Sequence, residues 1–172
     1  MRELLADETI TGRTKKRIMR ETIEEAKLYL RDNFDKGVDC PCCGQKVKLY
    51  KRKVNSGMVI FLIGLYRLAD KNKRKNYFRN TDVMKEMNLS ATSLDYSVMK
   101  HFGLIMEMTN EDNTKKSSGY WGITSKGFSF ISGQKIQKHV LIYNNKKQGF
   151  SDETTTIKDA LGDKFNFDEL MN

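Results

Sequence analysis

Apolar positions along the chain fall into segments of different period. From Thr14 to Phe34 they recur every three to five residues (Ile18, Ile23, Ala26, Leu30, Phe34). Lys, Arg and Glu fill the opposite side, so the spacing predicts an amphipathic helix. Arg17–Glu21 and Arg20–Glu24 stand at i,i+4 on its charged side, and Asp35-Lys36-Gly37 ends it. Val47 and Leu49 then alternate with Lys48, Tyr50 and Arg52, the period of a strand. Asn55-Ser56 is a helix cap before G-M-V-I-F-L-I-G-L-Y-R-L-A-D-K, which is apolar nearly all round and is expected to be a buried central helix.

The next pattern is a string of short elements. Tyr77-Phe78-Arg79 predicts a short strand. Asn80 or Thr81 caps a helix with Val83, Met84 and Met87 inward. Ser90 caps a second helix, A-T-S-L-D-Y-S-V-M-K-H-F, which stops at Gly103. Two short helices so joined predict a helix-turn-helix. Leu104 to Met108 and Y-W-G-I-T predict the strands of a hairpin with a long polar tip, and S-K-G-F-S-F-I-S-G a helix capped by Thr124. Trp121 and the methionines Met84, Met87, Met99, Met106 and Met108 are expected to fill the core. Val140 to Tyr143 predicts a strand followed by a basic turn. Ile157, Leu161, Phe165, Phe167 and Leu170 predict an acidic helical tail.

The fold class expected is therefore α+β. It divides into a leader and amphipathic helix at 1–36, a cysteine-knuckle hairpin at 37–54, a helix-turn-helix and hairpin domain at 55–133, and a strand, basic turn and helical tail at 134–172. F-G-L-I (102–105) followed by W-G-I-T-S-K-G-F-S-F-I (121–131) resembles the winged-helix family of DNA-binding regulators, as these close their wing and begin the next helix. The likeness covers roughly residues 55–133. The chain is also similar to small winged-helix proteins of phages and mobile elements, some of which carry a Cys-Pro-x-Cys-Gly turn ahead of the first helix. The resemblance implies a DNA-binding protein, a small transcriptional regulator.

Charge sharpens this picture. The formal net charge of the 172 residues is +9, made of +13 over residues 1–150 and −4 over 151–172. The positive charge sits in three blocks, 37–55, 56–79 and 134–150, which suggests a polyanion partner, double-stranded DNA. Lys73, Arg74, Lys75 and Arg79 are the expected phosphate contacts. Ser90, Thr92, Ser93 and Tyr96, with Lys100 further along, are the expected groove-facing positions of the second helix. Lys115 and Lys116 sit on the hairpin tip, where Glu111 and Asp112 oppose a phosphate contact. The acidic tail and the absence of arginine from the second helix leave a second class open: a protein-binding winged helix that inhibits or modulates a host nucleic-acid or defence machine.

All three cysteines lie in D-C-P-C-C-G-Q-K. Cys40 and Cys43 have the spacing of a zinc knuckle, but four ligands are needed and a second pair is missing. His101, His139 or a second chain would have to complete a zinc site. The alternative is a reduced, metal-free turn. No P-loop, dinucleotide turn, H-E-x-x-H or G-x-S-x-G occurs, so no enzymatic activity is expected. The acidic opening lacks a signal-peptide core, no apolar run spans a bilayer, and clustered thiols suit a reducing compartment; a cytoplasmic protein is expected, with no membrane partner. The apolar faces at 14–34 and 154–171 suggest a homodimer through terminal helices.

Overall fold

The computed structural model describes residues 22–90, 95–112 and 114–172. The chain divides into two compact units, Met1–Leu49 and Tyr50–Asn172, and its class is α+β.

In the first unit, helix α1 (Ile23–Asn33) begins at a reciprocal cap. The Thr22 hydroxyl accepts from the Glu25 amide at 3.3 Å, and the Glu25 carboxylate accepts from the Thr22 amide at 2.8 Å. These bonds hold the Glu25 carboxyl below its usual range. The part of the expected helix at 14–21 lies outside the described residues. Ala26 is the buried residue of α1. Gly37, at φ +80°, turns the chain into strand β1 (Val38–Asp39), which pairs antiparallel with β2 (Lys46–Val47), Val38 opposite Val47.

The second unit is built around helix α2 (Ser56–Lys71). Asn55 caps it, its side-chain oxygen accepting from the Met58 amide at 3.0 Å. Every residue from Met58 to Leu65 is buried, as the all-round apolar pattern requires. Helix α3 (Asn80–Glu86) crosses α2 at Gly64, where a Cβ would stand 2.6 Å from the Met87 side chain and 2.9 Å from that of Val83. Arg67 and Lys71 of α2 bind Glu86 at 3.0 and 2.6 Å and hold its carboxyl below the usual range.

After α3 come a 3₁₀ turn (Tyr96–Val98) and the short helix α4 (Met99–Phe102), closed by Gly103 at φ +74°. Strands β4 (Phe78–Arg79), β5 (Ile105–Glu107) and β6 (Tyr120–Ile123) form an antiparallel sheet in the order β4-β6-β5. Thr124 caps α5 (Ser125–Ile131), accepting from the Gly127 amide at 3.0 Å and donating to the Gly103 carbonyl at 2.6 Å. Gly127 lies against β5's entry: a Cβ there would be 2.3 Å from the Leu104 carbonyl oxygen.

Several elements depart from the expected pattern. The second helix of the helix-turn-helix is a 3₁₀ turn followed by one α-helical turn, and residues 91–94 at its expected start lie outside the described residues. The expected basic turn after β8 (His139–Tyr143) is a tight turn at Asn144-Asn145, both at positive φ, followed by a further strand, β9 (Lys146–Phe150). Strand β3 (Tyr50–Lys53) pairs with β8, its partners standing 86 to 92 residues further along the chain, giving a second sheet ordered β3-β8-β9. This pairing puts β3 in the larger unit, whereas its sequence neighbours place it with the cysteine hairpin. A small pair, β7 (Ile136–Gln137) with β10 (Thr154–Thr155), completes the strands.

The tail is two short helices, α6 (Ile157–Leu161) and α7 (Phe167–Met171), separated by Gly162 at φ +70°. Ile157 and Leu161 are buried, and Phe167, Leu170 and Met171 pack on the same core as α2. Ile157, Leu161, Phe167 and Leu170 of the expected apolar side thus pack within the chain, and Phe165 is exposed. Trp121 and Met99 are buried in the core and Met87 packs against it, Met84 is half-buried, and Met106 and Met108 are exposed on the edge strand β5 and just after it. No helix among the described residues is long and apolar enough to cross a membrane.

The two close glycine contacts differ in what must yield. Gly127→Ala presses on a backbone carbonyl and is expected to cost about 3 kcal/mol, whereas Gly64→Ala presses on the mobile Met87 side chain and costs less. Urea unfolding of the two variants checks this; the order of the midpoints is the decisive reading.

Candidate nucleic-acid interface

The phase of the 3₁₀ turn and α4 decides which side chains can reach a ligand. Tyr96 faces inward: its ring stacks on Phe61 at 4.2 Å and 9°, and meets Trp121 edge-on at 5.5 Å. Its hydroxyl accepts from the Asn80 amide group at 2.9 Å. Tyr96, expected to contact a groove, is half-buried with its ring packed against the core. Met99 and Phe102 are buried beside it, and Ser97 and Lys100, three apart, form the exposed face. Ser90 is exposed at the end of the preceding turn, and Thr92 and Ser93 lie outside the described residues.

Lys100 does not stand alone. The Phe150 ring of β9 lies 5.9 Å from Phe102 of α4, which draws the β8–β9 hairpin to the end of that helix. Lys147 and Lys126 both lie over Phe150, at 5.1 and 5.5 Å from its centre. The Lys126 stem also passes 3.9 Å from where a Cβ on Gly103 would be. His101 bonds to the Asn145 side chain at the hairpin tip. Burial first, and then the charges of Lys100 and Lys147, hold its imidazole pKa below the ordinary value. Lys100, Lys126 and Lys147 thus converge from three separate segments.

The carboxylates are engaged elsewhere. Glu153 binds Lys51 and Lys138, both at 3.2 Å, and Asp95 pairs with Arg52. Among the described residues none is within ion-pair distance of Lys100, Lys126, Lys146 or Lys147. An uncompensated positive patch of this kind attracts phosphates. Sequence reasoning placed Lys100 in the site and missed Lys126 and Lys147. The signal was the Asn-Asn pair before Lys146, which marks a hairpin turn rather than an open basic loop.

The other expected contacts are dispersed. Lys73, Arg74 and Lys75 are exposed in the turn after α2. That turn leads into β4 beside Gly122, at the end of the sheet away from the 108–119 loop. Lys73 and Lys75 border a cavity of about 690 Å³ lined also by Tyr66, Tyr77, Met106 and Phe128. Arg79 lies at the loop end, where Nε donates to the Tyr120 hydroxyl at 2.7 Å and the guanidinium sits 5.3 Å from that ring. In the loop, Asp112 accepts from the Thr114 hydroxyl, binds Lys115 at 2.9 Å and accepts from the Thr114 amide at 3.0 Å, which together hold its carboxyl below the usual range. Asp112 therefore ties down one of the two lysines expected to contact DNA, and Lys116 remains exposed.

The cysteine turn forms a knuckle. The Cys40 amide donates to the Gln45 carbonyl and the Gly44 amide to the Cys40 carbonyl, each at 2.8 Å, with Gly44 at φ +71°. The amides of Cys43 and Cys42 point at the Cys40 sulfur and hold its thiol pKa below the ordinary value, with the Cys43 side chain adding to the effect. None of the three cysteines is in a disulfide. Among the described residues no group of three or more His, Cys, Asp or Glu is placed to hold a metal. His139 Nδ1 stands 3.2 Å from the Ser151 hydroxyl. The knuckle thus fits half of a zinc site.

The inward position of Tyr96 has a measurable consequence. Tyr96→Ala should destabilise the protein by about 3–5 kcal/mol, as for other buried aromatic truncations. Tyr96→Phe, which loses only the bond from Asn80, should cost about 1 kcal/mol. An unchanged urea midpoint for the alanine variant would return Tyr96 to the surface. No family model, curated protein or solved structure matches the chain.

Proposed function

We propose that this chain binds double-stranded DNA through a winged helix-turn-helix core and acts as a small transcriptional regulator. The observation that carries the proposal is the convergence of Lys100, Lys126 and Lys147 at the end of the second helix, none of them in an ion pair among the described residues. The element order α2, β4, α3, α4, β5, β6 and the sheet order β4-β6-β5 support the core assignment. In this reading Ser97 and Lys100 face a groove. Lys126 and Lys147 neutralise phosphates on one side, and Lys116 follows the backbone from the 108–119 loop. The role is one of binding, with no chemical step.

The exposed side chains of Met106 and Phe128 beside the 690 Å³ cavity favour a second reading, a winged helix that docks on a protein machine.

Fluorescence anisotropy with short duplexes at rising salt separates the two. Lys100→Gln and Lys147→Gln should each weaken binding to every duplex and lower the slope of log K against log salt by about 1. Lys138→Gln, whose lysine is engaged by Glu153, should leave both unchanged. Absence of duplex binding by the wild type even at low salt would dismiss the DNA reading.

A further inference from the structure

The cysteine knuckle offers two of the four ligands that a tetrahedral zinc site needs. The Cys40 amide donates to the Gln45 carbonyl and the Gly44 amide to the Cys40 carbonyl, each at 2.8 Å, which closes the turn that carries the Cys40 and Cys43 thiols. This is the arrangement by which a C-x-x-C turn presents two thiolates to a single tetrahedral ion, the amides stabilising the charge on sulfur. The β1–β2 pairing and Gly44 at φ +71° hold the turn closed. Two further ligands are required. The whole sequence contains no cysteine outside Cys40, Cys42 and Cys43, and its two histidines are His101 and His139. Residues 1–21 contain neither type. No third His, Cys, Asp or Glu joins the pair among the described residues. Cys42, between the two ligands, already contributes its amide to Cys40.

A second, independent feature concerns the described part of the unit that carries the knuckle. Ala26 and Val47 are its buried hydrophobic residues, a small core of the kind that a metal, a disulfide or a partner commonly supplements. On α1, Ile23, Ala26, Tyr29, Leu30 and Phe34 fall on one stripe of the helix. Ile23 is 64% exposed and Tyr29 43%. The described part of the unit therefore wants two more thiolates and a cover for Ile23 and Tyr29, the exposed members of a stripe whose Ala26 is already buried. A second copy of itself supplies both, through an isologous contact in which identical surfaces meet.

We propose that Cys40 and Cys43 from two copies of this chain hold one Zn²⁺ in a tetrahedral four-thiolate site, which clasps the protein into a dimer. Binding converts four thiols to four zinc-bound thiolates and releases four protons, so the dimer weakens at low pH. Four sulfur ligands select Zn²⁺ over the hard divalent cations. The clasp depends on no part of the DNA reading.

The experiment uses the full chain with Zn²⁺ as the probe. Native mass spectrometry and metal analysis should find one Zn²⁺ per two chains and a dimer mass. A chelator should split the dimer, and Zn²⁺ alone should restore it. Co²⁺ in its place should give the visible absorption of a tetrahedral four-thiolate site. Cys40→Ser and Cys43→Ser should lose both metal and dimer, while Cys42→Ser keeps both. The wild-type stoichiometry stands even where a variant misfolds. One Zn²⁺ per chain, no bound Zn²⁺, a dimer indifferent to the chelator, or loss of metal in Cys42→Ser would each overturn the proposal.

Discussion

The larger unit depends on the need to cover α2 on every side. A helix buried from Met58 to Leu65 has no solvent face over two turns, so other elements must surround it. Gly64 admits α3 at close range, and Phe61 receives the Tyr96 ring. Trp121, α5 and the tail helices α6 and α7 take the remaining directions. The tail is thus a structural wall of the core, which is why an amphipathic segment at the end of the chain does not remain available as a docking face.

This enclosure also sets where charge can gather. Because Tyr96, Met99 and Phe102 are drawn inward, Lys100 is left outward at the end of α4. Phe102 in turn holds Phe150, and Phe150 carries Lys126 and Lys147 over its ring. A short aromatic chain therefore converts core packing into the placement of cations contributed by three segments. The hydrophobic pattern and the basic surface are consequences of one packing arrangement.

The central helix, its Asn55 cap, the Thr124 cap and the stop at Gly103 were legible in the sequence because each is a local signal: a period, a capping side chain or a left-handed glycine. The inward turn of Tyr96 was not legible. A 3₁₀ turn advances the chain by three residues per turn instead of 3.6 and so shifts the phase on which an α-helical wheel relies. Strand β9 was hidden by composition, since Lys-Lys-Gln-Gly-Phe carries little strand propensity and is held by pairing with β8 and by the Phe150 anchor. The exposure of Met106 has a similar origin. On a three-residue edge strand, alternation puts it opposite buried Ile105, on the face left open beside the cavity.

The basic cluster is also informative as an energetic cost. Lysines brought together at a helix end repel one another, and a fold selected for stability alone would place carboxylates among them. The carboxylates here do pair, but with Arg52, Arg67, Lys71, Lys51, Lys138 and Lys115. His101, nearest the cluster, is pushed toward its neutral form by burial and by Lys100 and Lys147, so the site does not accumulate a further charge. Solvent and salt screen the remaining repulsion, and a bound anion would relieve it further. A phosphate backbone supplies such anions at regular spacing, and each one neutralised releases a counterion to solution. The same cluster that destabilises the unbound protein would therefore favour its bound state.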